Sequence, residues 1–337
     1  MSRYLVAFLA GLASVVVFLA PLAGTPIGIL FGFLIVPLPI AIAGLGWGWP
    51  AALIASLVAA GGAATVAGLP PALVHFLTAG LPITGFCYLL NLNRDYTAPN
   101  GQPATEWYPV GRVLAAVALW SAVLTAAGLL IVASDFDGLR NLMRQAVDRI
   151  ADAQVQMNPD LGARLTETVR ADLANRMLPF VPAGIASFLV VSLVFNLWLG
   201  GRIAQQSGQL TRPWPDMTTA VLPRGFSIIM MVAILVSFVG GYIGLIANGL
   251  LWSCVMAYVL IGLAIIHQVT RGQPIRGLAL VLLYLAIILL IPVAIVVAVI
   301  GLAEPFSPLR RRHLETDPPN NAGGPPPQTP NTPTNED

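Results

Sequence analysis

Long apolar runs separated by short polar breaks occupy most of this chain. They fall at about 4–21, 26–45, 49–68, 71–91, 109–132, 180–200, 226–246, 248–268 and 277–302. Each is close to the ~20 residues a helix needs to cross a hydrocarbon core roughly 30 Å thick. Lipid offers no hydrogen bonds to the backbone, so a spanning run must satisfy its own polar groups, and helices are predicted rather than strands. The first four runs are joined by short uncharged turns such as "GLGWGWP" and "GLPP". The expected fold is an all-α, polytopic transmembrane bundle of about nine spans.

Two segments break the pattern and set the domain organisation. Residues 1–133 hold the first five spans and 180–305 the last four, with 134–179 between them. In that middle segment Leu139, Leu142, Met143, Ala146, Val147 and Ile150 recur at helical spacing, with arginine and aspartate on the other side. "NPD" at 158–160 is predicted to restart a helix: Asn158 suits an N-cap, Pro159 the first helical position and Asp160 the positive helix end. Asp172 and Arg176 stand four apart in the favourable acid-first order. The segment therefore reads as two amphipathic helices outside the hydrocarbon. Residues 306–337 are rich in proline and asparagine and have almost nothing to bury, so a disordered tail is expected.

Composition agrees with lipid as the solvent. The chain is 57% hydrophobic and 9% charged, where an ordinary soluble domain carries roughly 25% charged residues. Mean hydropathy is +0.80. The net charge of +2 does not suggest nucleic-acid binding, and the 17 basic residues are all arginine. Cys87 and Cys254 lie inside apolar runs with no ligand-spaced Cys or His beside them, so they read as small buried hydrophobes and not as metal ligands. The start "MSRYLVAFLAGLASVVVFLAPLAG" resembles a signal peptide, but Pro21 interrupts the cleavage region and the run is long enough to span. It is taken as the first helix, uncleaved.

The spans carry little chemistry. Asp, Glu and Arg are absent from their middles, which argues against a carboxylate-driven pump. No His-Glu-x-x-His, paired aspartates or Gly-x-Ser-x-Gly lies in a span, so neither an enzyme nor a cofactor is expected. "DFDG" at 135–138 is similar to the Asp-x-Asp of glycosyl transferases, yet two acids before an amphipathic helix also cap its N-terminus, and that reading is preferred. His75 and Asn196 are predicted to make helix–helix hydrogen bonds.

Broken helices say more. "VPLPI" sets Pro37 and Pro39 late in the second span, "TAGLPITG" sets Gly80, Pro82 and Gly85 in the fourth, and "LIPVA" sets Pro292 in the ninth. A proline frees a carbonyl that lipid cannot satisfy, and such breaks are tolerated where protein packs or a cavity is lined. Pro37, Pro39, Gly80, Pro82 and Gly85, with His75 nearby, are therefore the candidate cavity residues. In the first span Ala7/Gly11 and Ala10/Ser14 are small-x-x-x-small pairs that let another helix approach.

"EWYPVGR" at 106–112 introduces the fifth span. Glu106 precedes a helix N-terminus, Trp107 and Tyr108 are belt residues, Pro109 suits the first turn, and Arg112 snorkels or pairs with Glu106. An interface anchor accounts for every residue; a contact with a partner at the cytoplasmic face is the alternative. Short-loop arginines favour a cytoplasmic N-terminus, with the loop from Arg202 to Arg224 inside and the amphipathic segment outside.

The second span with "GLGWGWPAAL", the "FLTAGLPITGFCYLLN" helix and "EWYPVGR" together resemble the YybS-like family of bacterial multi-pass membrane proteins, a domain of unknown function. The likeness runs to about residue 305. That family is similar to the substrate-binding S-components of energy-coupling-factor transporters. The resemblance implies a bacterial plasma-membrane location, a helical core holding a small molecule, and a membrane partner met by small residues of helix 1. This chain departs from S-components in its extra helices and amphipathic insertion. It lacks their metal-binding cluster and matches none of their vitamin-binding residues. Two functions follow as expectations: binding or transport of a small uncharged solute, or a non-transporting scaffold that recruits envelope or cell-growth proteins through the amphipathic segment. A solute-sized cavity between the second, fourth and fifth helices favours the first.

Overall fold

The structure is a computed structural model that describes residues 2–20, 33–97, 101–133, 135–162, 164–215 and 220–304. The tail, including Arg310–Arg312, lies outside the described residues, as do 21–32, which hold the start of the second run. The elements in order are α1 (Arg3–Leu19), α2 (Leu38–Trp47), α3 (Trp49–Ala67), α4 (Leu69–Asn91), strands β1 (Asn93–Thr97) and β2 (Pro103–Trp107), α5 (Val110–Val132), α6 (Phe136–Met157), α7 (Glu167–Met177), α8 (Phe180–Gln206), α9 (Arg224–Ser237), α10 (Gly241–Val269), α11 (Arg276–Leu289) and α12 (Ile291–Ala303).

Among the described residues, α3, α4, α5, α8 and α10 are long and apolar enough to cross a membrane. The count reaches 6 if α11 and α12, bent by 116° at Leu290, form one broken span. Five or six of the nine expected spans are thus found among the described residues. Arg3–Leu19, Phe33–Trp47 and Arg224–Ser237 are apolar but shorter. Backbone breaks interrupt two of the later runs. Gly240 and Gly241 both take positive φ, 73° and 58°, and stop α9 inside what the sequence presents as one continuous run. Leu290, in extended conformation, stops α11 two residues before Pro292, which in a continuing helix would lack an amide donor and crowd the carbonyl one turn back.

The bundle has two distinct ends. At one, Thr211 Oγ1 donates to Asn91 Oδ1 at 2.7 Å, and Arg212 Nη1 donates to the Leu90 carbonyl at 2.9 Å. The loop after α8 is thereby fastened to the end of α4 and to the β1–β2 hairpin. Ala7 of α1 clusters with Ala43 and Ala51 near the same end. At the other, the Tyr242 hydroxyl donates to the Ala133 carbonyl at 2.7 Å and Asn248 Nδ2 to the Pro179 carbonyl at 2.8 Å. There Leu129, Ala133, Leu139, Leu178 and Leu245 form a separate apolar cluster that seats α6 and the end of α7.

α6 and α7 have the expected amphipathic character. Asp135 caps α6 by accepting from the Gly138 amide at 2.6 Å, as "DFDG" predicts. Arg170 on α7 binds Asp152 at 2.7 Å and Asp148 at 3.8 Å on α6, and Asp172 pairs with Arg176 at 2.7 Å. The predicted restart at "NPD" gives only a 3-10 turn, Pro159–Leu161; the helix starts at Glu167 instead. Arg170 Nε holds the Leu165 carbonyl at 2.9 Å, which fixes the later start.

The hairpin is an addition to the predicted all-α fold. Its register sets Arg94 opposite Glu106 and Asp95 opposite Thr105. The stretch reads as a polar loop, but "PNG" between two short segments carrying Tyr96 and Trp107 is a turn signal that sequence inspection could have used.

Candidate functional site

The proline breaks are packed by protein. Pro37 and Pro39 remove two amide donors from the helical ladder, and the chain turns at Val36–Pro37 before α2 begins. Carbonyls beside the break accept from side chains of neighbouring helices. Ser14 Oγ of α1 donates to the Val36 carbonyl at 2.9 Å. Ser192 Oγ and Asn196 Nδ2 of α8 donate to the Leu34 carbonyl at 2.9 and 2.6 Å. Pro82 is buried and follows a π-helical turn, Phe76–Gly80. The Gly80 carbonyl there accepts from Ser56 Oγ at 3.0 Å and Thr84 Oγ1 at 2.8 Å. A Cβ on Gly80 would stand 3.0 Å from the Ser56 Cβ, so Gly80 does allow a close approach; Gly85 is exposed with nothing within 4 Å and does not.

His75 is fully buried beside this seam, with the Phe18 ring edge-on at 5.0 Å. Its Nε2 lies 3.0 Å from Ser14 Oγ. Because the Ser14 hydroxyl proton is given to Val36, His75 Nε2 is the donor in that bond. The helix–helix role predicted for His75 and for Asn196 is the one observed. Side chains of three neighbouring helices thus bond to carbonyls around the breaks.

The apolar cavity lies nearer the hairpin end and is not lined by the three prolines. Its volume is about 90 Å³, and it is half open to the outside. Leu45 of α2, Leu90 of α4, Val113 and Val117 of α5 and Leu197 of α8 form its walls. Arg212 and Trp214 close over it from the loop after α8. Gly201 lets this lid lie flat, since a Cβ there would stand 3.2 Å from the Trp214 ring. Arg212 is the notable wall residue: only 9% exposed, with its guanidinium 5.4 Å from the centre of the Trp107 ring. Burial pushes that guanidinium below its ordinary pKa, though an arginine stays charged throughout the accessible range. Sequence reading counted Arg212 as one more loop arginine, because nothing local marks it as buried.

"EWYPVGR" is a junction between the hairpin, α5 and that loop. Glu106 pairs with Arg94 across the hairpin at 2.7 Å and not with Arg112. The guanidinium of Arg112 stands 6.0 Å over the Tyr108 ring. The Tyr108 amide donates to the Leu92 carbonyl at 2.9 Å. Pro109 is the N-cap of α5 and not its first residue. Gly111 has a reason that the sequence does not show: a Cβ on it would collide with the Val221 backbone carbonyl. The Arg94–Glu106 pair is largely exposed, so Glu106→Gln is expected to cost less than about 1 kcal/mol in a thermal melt. Gly111→Leu should instead displace the 220–223 backbone and markedly lower Tm, because a backbone collision cannot be relieved by a rotamer change.

The small face of α1 is used within the chain. Ala7 is fully buried, and a Cβ on Gly11 would meet the Ala55 carbonyl of α3 at 2.6 Å. The pair that sequence inspection assigns to a partner helix is therefore covered by α3. The outward face of α1 carries Tyr4, Leu5, Phe8 and Val16.

Apolar helices of spanning length, an amphipathic pair at one end and a mostly apolar cavity at the other define the class: a polytopic α-helical membrane protein. Residues 12–304 match the family described as Predicted membrane protein (DUF2232), and the chain belongs to that family. No curated protein and no solved structure matches it.

Proposed function

We infer that the protein binds a small, largely apolar solute in the cavity between α2, α4, α5 and α8, as the binding component of a carrier in the manner of an S-component. One observation carries this reading: a mostly apolar hollow sits between the helices where a solute site was expected, with a loop closing over it. Ligand sites are typically apolar clefts with a few placed polar groups. Spans free of Asp, Glu and Arg at their centres also suit a solute with little charge better than a bare ion. The reading assigns no catalytic step.

The test is native mass spectrometry of protein purified in mild detergent. A bound species of defined mass is expected, and Val117→Trp, which fills the hollow, should remove it without lowering folded yield. Retention of the same adduct by the filled variant would place the ligand elsewhere.

The scaffold reading has one observation in its favour: α11 has no buried residue and presents Leu278, Val281, Leu285 and Ile288 outward. Site-specific photocrosslinking from Leu285 tests it. A discrete protein adduct supports a partner, and lipid adducts alone oppose it.

We place the N-terminus, the hairpin and the loop after α8 in the cytoplasm of a bacterium, with α6 and α7 on the outer side, because the short-loop arginines collect at the hairpin end. Single cysteines at Arg94, Gln154 and Gln206 in a cysteine-free background report the orientation. An impermeant thiol reagent should label only position 154 in intact cells; labelling of 94 and 206 alone would reverse the assignment.

A further inference from the structure

Arg212 is the only fully charged side chain that is buried among the described residues. Burying an unpaired cation costs several kcal/mol unless something compensates it. Among the described residues, no carboxylate lies within ion-pair distance of this guanidinium. Its Nη1 is held by the Leu90 carbonyl and its face by Trp107, while Nε is buried with no hydrogen-bond partner. A guanidinium has five N–H donors arranged to grip a carboxylate or phosphate. This one lies in the wall of a hollow that is otherwise apolar.

The hollow also has a shape preference. Its volume, about 90 Å³, is smaller than the cavity of ~150 Å³ that accepts a benzene ring. The narrow, partly open hollow suits a linear alkyl segment, whose far end leaves through the open side. Leu45, Leu90 and Val110 stand at helix ends, so the arginine sits near the level where a lipid bilayer carries its head groups. An acidic head at that level and an alkyl chain below it match both halves of the site.

We propose that the ligand of this cavity is an anionic single-chain amphiphile, its alkyl chain among the leucines and valines and its acidic head on Arg212. The inference rests on the binding role inferred above and adds the ligand class. It makes Arg212 a recognition residue as well as a staple between loop and hairpin.

The experiment compares probes of one chain length: decanoate, decyl phosphate and decanol. Binding is measured by native mass spectrometry and tryptophan fluorescence, with the full chain in phosphatidylcholine nanodiscs. The wild type is expected to hold at least one of the two anions about tenfold or more tightly than the alcohol, as a charge-assisted hydrogen bond requires. Arg212→Gln should remove that preference while decanol still binds, and Arg212→Lys should keep part of it. Equal affinity for acid and alcohol in the wild type overturns the acidic head and leaves apolar solute binding standing. Failure of all three probes to bind overturns the cavity reading itself. Should Arg212→Gln fail to fold, the wild-type acid-to-alcohol ratio and Arg212→Lys still decide. Adding phosphatidylglycerol tests the single chain: competition against decanoate would assign the site to a two-chain anionic lipid and overturn that part of the proposal, and its absence supports a free single-chain acid or phosphate.

Discussion

Gly301→Leu is expected to undock α12 from α10 and to leave little folded protein after extraction into detergent. A Cβ on Gly301 would collide with the Tyr258 carbonyl oxygen and stand 2.9 Å from the Gly262 amide nitrogen. The contact is reciprocal, since a Cβ on Gly262 would collide with the Val297 carbonyl. Helices in lipid associate through such close approaches of small residues, because no hydrophobic force distinguishes a helix face from a lipid tail. Overpacking a core typically costs 1–3 kcal/mol when side chains can shift; here the obstacles are backbone atoms, so the loss should exceed about 3 kcal/mol. Gly277→Ala is the control: nothing lies within 4 Å of its position on α11, and alanine favours a helix over glycine by about 1 kcal/mol. Thermal melts followed by size-exclusion chromatography compare the two. A Gly301→Leu protein melting within a few degrees of wild type would mean that α12 does not dock on α10 as the structure has it.

What the sequence reveals and what it hides follow one physical division. Features set by neighbours along the chain are legible: the Asp135 cap, the Asp172–Arg176 pair, the amphipathic face of α6 and the position of most apolar helices. Proline breaks are legible too, since Pro37 and Pro292 mark their own effects. The side chains that bond the backbone around them are not, because Ser192 and Leu34 meet across 158 positions of sequence. Hydropathy sums residues and does not register two glycines at positive φ, so the run at 226–246 reads as one span where the backbone stops. The candidate site was legible only in outline. The sequence points to its helices, but Pro37, Pro39 and Pro82 do not line the hollow, which lies toward Leu45 and Leu90. Arg212 and Gly111 owe their roles to close contacts across long stretches of chain, one beside Trp107 and the other against Val221.

The hydrogen bonds at the Leu34 carbonyl give the second large effect, and here the expected result is a departure from additivity. Asn196 Nδ2 donates at 2.6 Å to both the Leu34 and the Ser192 carbonyls. With two acceptor carbonyls on that nitrogen, the amide orientation is fixed: turning it over would set oxygen against oxygen. Asn196→Leu keeps much of the volume but removes both donations, and Ser192→Ala removes the other donor to Leu34. Either single variant leaves the Leu34 carbonyl one partner. Together they leave it with none from α8, at a site where Ser192 is 4% exposed and Asn196 fully buried. Losing one of several bonds costs about 1 kcal/mol, whereas orphaning a buried acceptor costs about 1–3 kcal/mol more. The double variant should therefore lose more stability than the sum of the singles, with a coupling of about 1 kcal/mol or greater. One compensation works against the effect of Asn196→Leu: its Oδ1 is buried without a partner, so leucine also removes an unsatisfied acceptor. That relief appears in the single and the double alike and cancels from the cycle. Melting the wild type, both singles and the double in the same detergent measures the coupling directly. Strict additivity would show that α8 does not hold the backbone before α2 through these two side chains.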